Sequence, residues 1–272
     1  MPARLHHERI AHAGAAPRKW LALTHGIYGA GSNWRSIARK VTDARPEWGI
    51  VLVDLRQHGK SENGAPPHTI AACADDLAAL FAELGGVTAV AGHSFGGKVA
   101  LATRRILDLE QTWILDSSPS ARAKTLAGLD DPRDGTVIRV LDFMARAPRT
   151  WPTREDFVRA VVGEGHDEGL ARWLAMSLLP DPAGGVALRF DVAALREMLR
   201  DYQAVDLWDV LEAPGHDVEV VIAAQSSTVN AADRGRLAAA PPHVHVHYVE
   251  AGHWLHIDAP ARVIELVSAR LP

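Results

Sequence analysis

Short apolar runs alternate along this chain with longer stretches whose apolar residues recur every three or four positions. The runs WLALTHG (20–26), GIVLVDL (49–55), VTAVAG (87–92), TWILDSS (112–118), VEVVIAA (218–224) and VHVHYVEAG (244–252) predict strands. Several are continuously apolar, the pattern of a strand covered on both faces. HTIAACADDLAALFAELGG (68–86) predicts a helix with Ile70, Ala74, Leu77, Phe81 and Leu84 on one face and Gly85 as its stop. GGKVALATRRIL, AADRGRLAAA and APARVIELVSARL predict three more. Strand–helix alternation of this kind predicts an α/β fold, a mostly parallel central sheet flanked by helices.

The alternation breaks between about 120 and 205, where no convincing buried strand stands out. That stretch offers the helical patterns TVIRVLDFMARA, TREDFVRAVVGE, EGLARWLAMSLL and DVAALREMLRDYQ, joined by turns such as LDDPRDG and PDPAGG. The expected organisation is a core of residues 1–119 and 206–272 with a helical cap inserted at 120–205, after the strand ending near Asp116. A helical insert at the carboxyl edge of a parallel sheet roofs the place where such sheets bind ligands.

Composition narrows the function classes. At 272 residues the chain is long enough for one large α/β domain with an inserted piece. Its net charge is −4 and no long basic run appears, which argues against nucleic acid or an anionic membrane as partner. Cys73 is the single cysteine, so no intramolecular disulfide can form; on its helix it reads as a small core residue. The charged start lacks a signal peptide's apolar region, and no apolar run approaches transmembrane length. These features lead us to expect a cytoplasmic protein. They leave its oligomeric state open.

Candidate chemistry sits where strands end. Gly92-His93-Ser94-Phe95-Gly96 matches G-x-S-x-G between a predicted strand and a predicted helix, the setting of a nucleophile elbow. A serine hydroxyl needs a base to take its proton. GHWLHIDAP supplies His253 and His256, and His253 is preferred because it directly follows the last predicted strand. A third group must orient the imidazole. The loop AAQSSTVNAAD has no acid until Asp233, whereas Asp116 ends the strand beside the nucleophile's, so Asp116 is assigned and Asp233 is the runner-up. The loop after the first long strand, HGIYGAGSNW, turns at His25-Gly26, which lets the Ile27 amide join that of Phe95 as an oxyanion hole.

These segments, with DLRQHGKS (54–61) and the run Asp116-Ser117-Ser118-Pro119, resemble the α/β-hydrolase superfamily, and within it the bacterial YbfF-type esterases and their eukaryotic relatives. The resemblance implies hydrolysis of a small-molecule carboxylic ester by Ser94, Asp116 and His253 without a cofactor. It also places Ser226 where that group carries a serine able to add a hydrogen bond to the histidine. Gln57 departs from the group's usual asparagine and Phe95 from its usual methionine. Asp54, Arg56 and His58 are expected to fix loop structure.

His243, His245 and His247 alternate on one strand face, a spacing able to hold a metal. With no acid or cysteine expected to join the cluster, the expectation is a solvent-facing strand with Val244 and Val246 turned inward, and no metal. The same triad suits a thioester, a lactone, a carbon–carbon bond or cofactor-free haloperoxidase chemistry. A ligand sensor on the same scaffold is the alternative from outside catalysis.

Overall fold

The computed structural model describes residues 1–122, 136–188 and 191–272. The strands are β1 (His7–Ile10), β2 (Lys19–Thr24), β3 (Trp48–Val53), β4 (Val87–His93), β5 (Gln111–Leu115), β6 (Thr150–Trp151), β7 (Leu179–Pro180), β8 (Val186–Ala187), β9 (Asp217–Ala223) and β10 (Val244–Val249). Seven of them form one sheet in the order β1-β3-β2-β4-β5-β9-β10. Neighbours run parallel throughout, except that β1 is antiparallel to β3. The helices are α1 (Arg35–Ala44), α2 (Ile70–Leu84), α3 (Phe95–Ile106), α4 (Thr136–Arg146), α5 (Arg154–Gly163), α6 (Glu168–Ala175), α7 (Val192–Ala204), α8 (Trp208–Glu212), α9 (Ala231–Leu237), α10 (Leu255–Asp258) and α11 (Pro260–Arg270).

The apolar strands divide their side chains between two cores with a period of two. Leu21, Leu23, Ile50, Leu52, Ala89, Ala91, Trp113 and Leu115 join Ile37 and Val41 of α1 and Val263 and Val267 of α11 on one face. Ala22, Val51, Val53, Val90, Ile114, Val218 and Val220 join α2 and α3 on the other. Burial on both faces is why these strands read as unbroken apolar runs. Helix α2 begins where Thr69 Oγ1 accepts from Ala72 N at 3.1 Å. It stops at Gly85, whose φ of +62° ends the helical path.

Several elements depart from the sequence expectation. β1 is too short to show a pattern, and α1 is not among the predicted helices. β6, β7 and β8, all between β5 and β9 in sequence, form a small antiparallel sheet, each two residues long and so without a readable period. The expected turn LDDPRDG (129–135) lies outside the described residues. Among the described residues no helix is long and apolar enough to cross a membrane.

The loop after β3 is held by a buried ion pair. Arg56 Nε and Nη2 donate to Asp76 Oδ2 and Oδ1 at 2.6 and 2.8 Å, and both side chains are buried. Burial alone would lower the Arg56 pKa; the partner carboxylate outweighs it and raises the value. Arg56 also donates to the carbonyls of Ala65, Pro67 and Ala72. Removing one member of such a pair strands the other charge. R56M is therefore expected to lose about 3–5 kcal/mol of unfolding free energy in a urea titration; a loss under about 1 kcal/mol would mean that water solvates the pair.

Candidate active site

Ser94 occupies the turn from β4 into α3 with φ +52° and ψ −115°, a conformation that L residues rarely hold. Its neighbours make the turn possible. A Cβ on Gly92 would lie 1.9 Å from the Gly96 carbonyl oxygen, and one on Gly96 would lie 2.6 Å from that of His25. Only glycine fits either position. The corner is tied into the sheet by Ser94 N donating to Leu115 O at 2.9 Å.

His253 follows β10 and turns its ring into the same space. Its Nε2 lies 3.0 Å from Ser94 Oγ, and its Nδ1 lies 2.6 Å from Asp116 Oδ2. Asp116 is wholly buried just past β5, with φ +43°, and its Oδ1 accepts from Ala223 N of β9 at 3.1 Å. A carboxylate at Nδ1 fixes that proton and leaves the Nε2 lone pair facing the serine hydroxyl. Asp233 lies elsewhere: it accepts from Ser118 Oγ and Ser120 Oγ at 2.6 and 2.5 Å.

Of the neighbours of His253, Ser226 differs from the sequence reading and His256 does not. Ser226 does not reach the ring; its hydroxyl bonds Thr228 Oγ1 at 3.0 Å, and Thr228 Oγ1 lies 3.1 Å from His253 Nδ1. No sequence signal marks Thr228, because SSTVN reveals a loop but not the path it takes. His256 packs, its ring centroid 4.9 Å from that of Trp34 and 5.6 Å from that of His93. His93 in turn holds the His253 backbone, Nε2 to His253 O at 2.8 Å.

The loop carrying Ile27 is pinned by an exchange of histidines. His25 Nε2 accepts from Leu55 N at 3.1 Å, and His58, on the loop after β3, accepts from Tyr28 N at 3.1 Å. In each ring Nδ1 faces a carbonyl oxygen at 2.8 Å, Gly26 for His25 and Arg56 for His58. A ring that donates from Nδ1 and accepts at Nε2 is neutral. Burial agrees, pushing His25 down to about 4 and, with His25 close by, His58 to about 3. Tyr28 is held twice more: its carbonyl accepts from Ser177 Oγ at 2.7 Å and its hydroxyl donates to Val137 O at 2.9 Å. Asp54 receives Gly31 N and Lys60 N, at 2.8 and 2.9 Å. Among the described residues the amides of Ile27 and Phe95 donate to no protein acceptor.

Ser94 and His253 open into a cavity of about 230 Å³. Ile27 and Tyr28 line it from the loop after β2, and Val140, Leu170 and Trp173 from α4 and α6. Trp173 stacks on Trp254, the residue after His253, at 5.6 Å between centroids. Gln57 accepts from Asp191 N at the start of α7, and the Phe95 ring lies 5.8 Å from that of Tyr202. Both departures from the family pattern thus face α7.

The histidines of β10 are not a bare solvent face. His247 Nε2 lies 2.6 Å from Glu219 Oε2, and His245 Nε2 lies 3.3 Å from Asp217 Oδ1. The acids come from β9, paired alongside in parallel register. Glu219 is buried, which works to raise its pKa, but hydrogen bonds from His247 and Arg270 win and lower it. With Arg270 Nη2 at 2.7 Å its charge is already balanced within the protein.

A family model described as the alpha/beta hydrolase family matches residues 21–266. The chain is 26% identical over 254 residues to the sn-1-specific diacylglycerol lipase ABHD11 of Danio rerio, covering 91% of this chain and 76% of that one. It is 26% identical over 258 residues to the esterase YbfF of Escherichia coli strain K12, covering 92% of each. The solved structure of a marine microorganism esterase superposes with a TM-score of 0.84 at 20% identity, covering 99% of this chain and 100% of that one; the likeness speaks to the fold.

Burial holds His256 down at about 4 and His93 well below 6.5, as it does His25 and His58. Their pKa values are depressed in the folded state, so the stability that neutrality confers is complete above about 6.5 and drains away as pH falls toward 4. Each such group is expected to remove about 1 kcal/mol of unfolding free energy between pH 7.5 and 5.5. Neither nitrogen of His256 has a protein partner among the described residues. H256F should therefore flatten the acid limb of denaturant-measured stability by about that amount, and superimposable curves would refute the assignment.

Proposed function

The chain belongs to the alpha/beta hydrolase family, and on that premise we propose that it is a serine hydrolase cleaving carboxylic esters through an acyl-enzyme on Ser94. The observation that carries this reading is the unbroken line from Ser94 Oγ through the His253 ring to Asp116, at 3.0 and 2.6 Å. Esterase and lipase relatives that span most of the chain support the ester as substrate class.

In the proposed reaction the Ser94 hydroxyl passes its proton to His253 Nε2 as Oγ bonds the ester carbonyl carbon. The carbonyl π electrons move to oxygen, and the amides of Ile27 and Phe95, free of protein acceptors among the described residues, receive that charge. Phe95 opens α3, so the helix N-terminus adds its partial positive charge. Collapse of the tetrahedral species breaks the bond to the alcohol, which leaves with the proton from His253. Water then repeats the sequence: His253 takes its proton, its oxygen bonds the acyl carbon, and Ser94 is released with that proton. Asp116 stays ionised and steadies the imidazolium in both halves. Thr228 is the polar neighbour of Nδ1, with Ser226 supporting it one bond away.

In the same reading residues 120–205 form a cap. Val140, Leu170 and Trp173 supply an apolar wall facing Ser94, which suits the acyl or alcohol carbon chain of an ester.

A panel of 4-nitrophenyl esters of rising acyl length, run on purified variants, tests the proposal. S94A is expected to lose turnover entirely while keeping its fold. D116N should lower kcat by about 10³–10⁴-fold, whereas D233N retains most of it. Full turnover in folded S94A, or the reverse ranking of the two aspartates, would overturn the assignment. Rapid mixing should show a burst of nitrophenol as the acyl group loads onto Ser94.

A further inference from the structure

Lys98 lies on α3 one turn beyond Ser94, and its side chain is buried, 1% exposed. Its ammonium donates to three main-chain carbonyls: Ser120 at 2.8 Å, Tyr202 at 2.6 Å and Val205 at 2.7 Å. No carboxylate is within hydrogen-bond reach among the described residues. Ser120 stands where the chain leaves the core for the insertion; Tyr202 and Val205 stand where it returns. The two crossings are also laced to each other, by Leu207 N to Pro119 O at 2.9 Å, Ala121 N to Asp206 Oδ2 at 3.2 Å and Trp208 Nε1 to Ser120 Oγ at 2.7 Å.

We propose that Lys98 is a positioning residue: its ammonium clasps both roots of the insertion onto the helix that follows the nucleophile, and so sets how far the insertion's apolar wall stands from Ser94. The proposal rests on the esterase and cap readings above. Burying a lysine among carbonyls is poor use of a cation for stability alone. Three tetrahedrally spread donors on one atom meet three acceptors drawn from the two crossings. Each acceptor belongs to a root, and none to the body of the core.

The charge can also be removed without mutation. Burial brings Lys98 down to about 8, with Arg122 adding to the fall and Asp206, Asp233 and Asp201 opposing it. Tyr202, its ring 4.7 Å from Nζ, is kept protonated by burial. Those groups cover the first root, α7, the second root and α9. Above pH 8 the neutral amine keeps two protons for three carbonyls, so the clasp weakens on the alkaline side.

The test compares wild type with K98M, which keeps the aliphatic stem and loses every donor. On 4-nitrophenyl acetate, too short to reach the wall, K98M should keep kcat within about twofold, because Ser94, His253 and Asp116 are untouched. On a 4-nitrophenyl octanoate its KM should rise about tenfold. Wild-type KM for the octanoate should climb between pH 7 and 9.5 and that of K98M stay flat. Unchanged octanoate KM in folded K98M, or matching pH profiles, would overturn the proposal. Should K98M fail to fold, the wild-type profile decides, and a flat one overturns it. Amide hydrogen exchange at Ala121, Arg122, Val205 and Leu207 reads the clasp without catalysis: faster exchange in K98M supports it, unchanged exchange sinks it. Loss of all ester turnover in wild type would strike the esterase reading and leave the exchange result to judge Lys98.

Discussion

Everything at the candidate site depends on one steric allowance: the absence of side chains at Gly92 and Gly96. That absence lets the Gly96 carbonyl press against Gly92 and lets α3 start hard against the loop after β2. Only in that packing does the chain hold Ser94 at positive φ, with its hydroxyl lifted clear of the sheet and the Phe95 amide left over at the head of a helix. A single methyl at either glycine would push the strand and helix apart and lower the serine out of line with His253.

The remaining groups are aimed by main-chain bonds more than by each other. Asp116 also holds a left-handed backbone and is fastened to β9 through Ala223. His253 is fixed from behind by His93. The loop of Ile27 is fixed by His25 and His58, each neutral and each spending one nitrogen on a carbonyl and the other on an amide. Histidine suits this work because one rigid ring satisfies a donor and an acceptor at opposite edges. The site thus holds one histidine placed for proton transfer and several that act as rigid spacers.

Much of this is legible in the sequence, and the division follows sequence distance. Six apolar runs mark six of the seven long-sheet strands, since a doubly covered strand announces itself in a few residues. Ser94, His253 and Asp116 can be named because each sits just past a strand of a parallel sheet, and all such ends open on one side. Local signals fail where the meaning lies in a partner. Thr228 needs the loop's fold, the acids beside His245 and His247 lie on β9, and Asp76 looks like any polar helix residue until Arg56 arrives from another loop. Lys98 stands two residues past the G-x-S-x-G motif, yet its acceptors are carbonyls, which every residue owns and no sequence marks.

Tyr28 joins segments that lie far apart in sequence. Its nitrogen is held through His58 on the loop after β3, while its carbonyl and its phenol are held by Ser177, just past α6, and Val137 of α4. Ser177 and Val137 thus fasten α4 and the end of α6 to the loop after β2 through one residue, at a point separate from the carbonyls that Lys98 binds.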